Sequence, residues 1–98
     1  MESFRTILTA IHQWQNDFLG QVNNFTVPSG NGSLREKAQV VARNYFNSKM
    51  DDFISTHPNV DRKGLIWLKN ARHQFVVVFG RELKHIWKEH RNANRINH

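Results

Sequence analysis

The 98-residue chain contains no cysteine. This excludes a disulfide framework, a thiolate nucleophile and any Cys-based zinc or iron–sulfur site. No apolar run approaches the ~18 residues that a transmembrane helix needs. The N-terminal Met1-Glu2-Ser3-Phe4-Arg5 carries an early acid and no apolar stretch of signal-peptide length. The expectation is a soluble, cytoplasmic protein without a transmembrane segment. Also missing are a Ser/His/Asp set at motif spacing, a nucleophile elbow, a dinucleotide fingerprint and a P-loop. The chain is therefore not expected to be an enzyme or to hold a cofactor.

Acidic residues are scarce at one end. Residues 1–60 hold five basic and five acidic residues, whereas 61–98 hold nine basic residues against Asp61, Glu82 and Glu89, so the whole net charge of +6 belongs to the C-terminal part. Such asymmetry points to an anionic partner, either a nucleic acid or an acidic protein surface.

What is plentiful is aromatic and periodic. Seven Phe, three Trp and one Tyr supply a core for a single small domain. Phe4, Ile7, Leu8, Ile11, Trp14, Phe18, Val22 and Phe25 recur at steps of three and four, which predicts an amphipathic helix with Ser3 as N-cap. Gly20 weakens its last turns, placing its end between Gly20 and Asn24. Pro28, Gly30 and Gly32 make 26–32 a loop. Ser33-Leu34-Arg35-Glu36 is a capping box that opens a second helix. Its apolar stripe through Leu34, Ala38, Val41 and Tyr45 drifts afterwards, which predicts a break near Asn47-Ser48. Pro58 ends this helix and Asp61 is the N-cap of a third.

The third segment gathers Leu65, Leu68, Phe75, Val76, Phe79, Leu83 and Ile86 on one face. The β-branched run through residues 75–79 also allows a short strand, but the helical spacing continues on both sides of it, with Gly80 as a hinge candidate. The predicted fold is all-α, a three-helix bundle, or four-helix if the second helix breaks. It spans residues 1–92, and 93–98 forms a polar tail.

Opposite the core face, Arg81, Lys84, Lys88, Arg91 and Arg95 form a basic row, with Trp87 beside it as a surface on which a base can stack. This row is the candidate nucleic-acid-binding site, through backbone contacts with little base reading. The competing interpretation is an ordinary solvated helix face. A helix-turn-helix over 34–57 fails on charge, because Asp51 and Asp52 would meet phosphates. Trp67, Ala71 and Val78 form a lateral apolar strip that needs cover, either from the first helix or from a second copy in a homodimer. The alternative function is a non-enzymatic protein–protein interaction module, an adaptor or inhibitor acting through helix faces.

Two local features stand apart. Arg72 and His90 project into the apolar face, which predicts that Arg72 pairs with an acid such as Asp17 or Asp52, or lays its stem along the core. Glu82-x-x-His85 and His85-x-x-x-Glu89 resemble isolated pieces of ferritin-like and hemerythrin-like iron sites. The second Glu-x-x-His and the His-x-x-x-His pair of those families are absent, so no metal is expected.

Overall fold

The computed structural model describes residues 3–96, with side chains through Arg91. Three helices form an up-down-up bundle: α1 (Phe4–Gln21), α2 (Leu34–Thr56) and α3 (Arg62–Ile96), with one 3-10 turn at Val22–Asn24 after α1. Among the described residues there is no strand, and no helix is long and apolar enough to cross a membrane.

Each helix begins on the cap its sequence supplies. Ser3 Oγ accepts from the Thr6 N–H at 3.2 Å, Ser33 Oγ from Glu36 at 3.1 Å, and Asp61 Oδ1 from Gly64 at 2.9 Å. Gly30 and Gly32 take positive φ values of 109° and 125° in the loop before α2, a conformation that a Cβ disfavours. At the end of α2 the His57 ring stacks on Phe53 at 4.0 Å, and its Nδ1 lies 3.0 Å from the Phe53 carbonyl.

The expected break in α2 does not occur. Its buried line is Ala38, Ala42, Phe46, Met50 and Phe53, a regular stripe that shares only Ala38 with the expected one, because Ala42 is inconspicuous in sequence. Asn47, at the expected kink, instead accepts a 2.9 Å hydrogen bond from Arg72 Nη1. This also corrects the expected Arg72 partner: a neutral amide on α2 takes the place of an acid. Residues 75–79 are helical, and α3 passes through Gly80 without interruption.

Gly80 is a packing site and not a hinge. A Cβ there would lie 3.1 Å from Gln39 Cγ and 3.4 Å from Gln39 Cα, so the missing side chain lets α2 and α3 approach closely. Gly80 opposite Gln39 and Arg72 opposite Asn47 fix an antiparallel register that brings Leu34 level with His85. Beyond that level α3 outruns α2, and its 35 residues at ~1.5 Å each account for most of the molecule's 56 Å length.

α1 is held off by aromatic side chains. Phe18 is fully buried, with its ring 5.2 Å from both Tyr45 and Phe75, and Trp14 meets Phe46 edge-on at 5.2 Å. Complete burial of a side chain such as Phe18 contributes about 1.5–3 kcal/mol, and edge-to-face pairs add directional preference.

Candidate anion-binding seam

The antiparallel register decides which charges meet. It sets the first turn of α2 beside the C-terminal half of α3, and there Arg35, Gln39, Val77, Arg81 and Lys84 line a groove of about 320 Å³. Three cations from two helices thus surround one concavity, with Gln39 and Val77 completing its lining. Sequence periodicity placed Arg81 and Lys84 together but not Arg35, because nothing in a one-helix pattern reports the neighbouring helix. The sequence did contain one relevant signal: a short connection between α2 and α3 forces them antiparallel and puts the start of α2 near residues 80–85.

Glu36 and Glu82 adjoin Arg35 and Arg81 in sequence, but neither makes an ion pair among the described residues. Asp51 and Asp52 lie near the C-terminal end of α2, remote from the groove. On α3, His85 Nε2 and Glu89 Oε1 are 3.2 Å apart, an exposed i,i+4 pair and the only ion pair among the described residues. On the helical wheel it occupies the edge of α3 away from α2. No carboxylate therefore lies within ion-pair distance of Arg35, Arg81 or Lys84 among the described residues. An anion would meet unpaired guanidinium and ammonium groups, which donate the shortest and strongest hydrogen bonds to phosphate or carboxylate oxygens.

The remaining members of the basic row divide. Lys88 is exposed and lines neither groove. Arg91, also exposed, lines a second groove at the end of the bundle. The Arg95 side chain lies outside the described residues.

Trp87 corrects the expectation of a stacking surface. Only 6% of it is exposed, and its indole N–H donates to the Phe25 carbonyl at 2.9 Å. The segment following α1 folds over the part of α3 that outruns α2, and this long-range cover is invisible to periodicity. The result is a groove of about 550 Å³ in which Trp87 joins Phe25, Val27 and Leu34, with Asn23, Thr26, His90 and Arg91 around them. His90, on the same face, lies beyond the level of the first residue of α2, and its side chain is exposed.

The lateral strip is covered from within at one end. Phe4 of α1 packs edge-on against Trp67 with ring centroids 4.6 Å apart, and Trp67 and Ala71 are partly buried against the core. Val78 remains 52% exposed. The first helix thus supplies cover at Trp67 that a second copy was the other means of providing. No protein-family model, curated protein or solved structure matches the chain.

Proposed function

We propose that this is a small, non-enzymatic accessory protein that binds nucleic acid through the sugar-phosphate backbone, using the seam between α2 and α3. The observation that carries this reading is the convergence of Arg35, Arg81 and Lys84 on one groove, with no carboxylate within ion-pair distance of them among the described residues. Lys88 and Arg91 extend the row by two further turns, so that cations recur about every 4.5–6 Å along the helix. Phosphate contacts of this kind position a polymer without reading its sequence.

A salt titration with duplex DNA tests it. If Arg35, Arg81, Lys84, Lys88 and Arg91 each neutralise one phosphate, log K falls with log salt at a slope of about −4.5. Reversing Lys84, Lys88 and Arg91 to Glu abolishes the binding while the helical CD signal persists. No binding to DNA or RNA at low salt rejects the proposal.

A second reading, a protein–protein interaction module acting through helix faces, draws on Phe4 and Leu8. They are 51% and 37% exposed and stand one turn apart on α1, at the end of the bundle opposite the basic groove. Under that reading the partner meets α1, and charge reversal on α3 leaves its affinity unchanged. A homodimer through Val78 belongs to the same class, and a monomer mass at high protein concentration argues against it.

A further inference from the structure

We infer that the groove at the end of the bundle takes an unstacked base, so that the nucleic acid recognised is single-stranded. This rests on the nucleic-acid reading of the seam. The groove exists because the core face of α3 continues past the first residue of α2 and is only partly covered by the segment after α1. Its apolar wall is Phe25, Val27 and Leu34 over the buried Trp87, and Asn23 and Thr26 offer an amide and a hydroxyl to a base edge. The occupant follows from continuity with the basic row: Arg91 lines this groove and stands two turns beyond Lys84 of the seam, on the same side of α3.

That separation is about 10 Å along the helix, no more than about three nucleotides at the ~3.4 Å rise of one strand. A strand whose phosphates follow Lys84, Lys88 and Arg91 therefore carries a base past the apolar wall. A base inside a duplex is stacked and paired, and it enters such a groove only if flipped out at a cost of a few kcal/mol. A base of a flexible single strand enters without that cost and gains apolar contact with Phe25, Val27 and Leu34. Backbone electrostatics alone predict the opposite preference, because duplex DNA has the higher charge density.

The test compares fluorescein-labelled oligo(dT) with a hairpin duplex of equal phosphate number at one salt concentration, using the full chain and two charge-neutral variants. Val27→Ser changes the groove, and Val40→Ser changes a valine of equal exposure, 44% against 45%, that lines neither groove. The expected result is tighter binding of the single strand, weakened about threefold to fivefold by Val27→Ser, with hairpin binding unchanged and Val40→Ser silent on both. Equal affinity for the two probes, or equal weakening of both by Val27→Ser, overturns the base groove and leaves the phosphate contacts standing. Failure of both probes to bind overturns the nucleic-acid reading and this inference with it. An acidic peptide that binds in their place, with sensitivity to Val27→Ser, assigns the groove to a protein partner.

Discussion

The indole N–H of Trp87 donates to the main-chain carbonyl of Phe25 at 2.9 Å, joining the end of the α1 segment to α3 across 62 residues of sequence. Phe25 is in turn stacked on Phe18 with ring centroids 5.0 Å apart, so the hydrogen bond ties the overhanging part of α3 to the aromatic core. Replacing Trp87 by Phe keeps most of the apolar volume and leaves the Phe25 carbonyl unpaired. The expected loss is about 1–2 kcal/mol, seen as a fall in Tm of several degrees on a thermal CD melt. Trp87→Ala, which also empties the site, costs about 3–5 kcal/mol. An unchanged Tm for Trp87→Phe argues that the hydrogen bond contributes nothing in solution.

Two helical glycines are expected to respond differently to alanine. Gly20 has nothing within 4 Å of an added Cβ, so Gly20→Ala stabilises through helix propensity by about 0.5–1 kcal/mol. At Gly80 the same gain is offset by the crowding against Gln39, and Gly80→Leu, which forces α2 and α3 apart, costs about 1–3 kcal/mol or more. Urea melts of the three variants give the order Gly20→Ala, Gly80→Ala, Gly80→Leu from most to least stable; any other order disproves the close helix contact.

Tyr45 buries its hydroxyl without a hydrogen-bond partner, and its pKa is raised from 10.0 first by burial and then by the charge of Asp17. Tyr45→Phe removes the unsatisfied group and is expected to be neutral or to stabilise by about 1 kcal/mol. The pH dependence has a definite sign. Because the folded state holds the phenol proton more tightly, Tyr45 leaves stability unaffected below pH 10 and lowers it as the pH rises through the folded-state pKa. Wild type therefore loses stability relative to Tyr45→Phe above pH 10, and parallel profiles for the two proteins contradict the burial of the hydroxyl.

Arg35 is the seam residue that a one-helix pattern misses. Arg35→Glu is expected to weaken nucleic-acid binding as much as Arg81→Glu, and neutral Arg35→Gln reduces the salt slope by about 0.9 with duplex DNA or about 0.7 with a single strand. Lys63→Glu, at the opposite end of α3, is the control for net charge. Equal weakening by all three reversals shows a diffuse charge effect in place of a groove.

The legible parts of the fold are those written into neighbouring residues. Ser3, Ser33 and Asp61 cap the helices they precede, and Gly30 and Gly32 take the positive φ that their loop requires. The continuity of α2 was not legible, because Ala42, which links Ala38 to Phe46 in the buried stripe, carries little hydrophobic signal, while Val41 and Tyr45 beside it are only partly buried. Trp87 was misread for a related reason. On its own helix it borders the basic row, but its environment is set by residues 22–27.

By itself, the sequence determined that this chain forms amphipathic helices, that they pack into one aromatic-rich bundle and that the positive charge lies on the third. These properties follow from local spacing and composition. Only the tertiary structure decided that Arg35 joins Arg81 and Lys84, that Trp87 is covered while Val78 is not, and that α3 outruns α2 to leave an apolar groove. Those outcomes depend on register, set where Gly80 meets Gln39 and Arg72 meets Asn47. Contacts between residues so far apart in the chain leave no periodic trace in either helix.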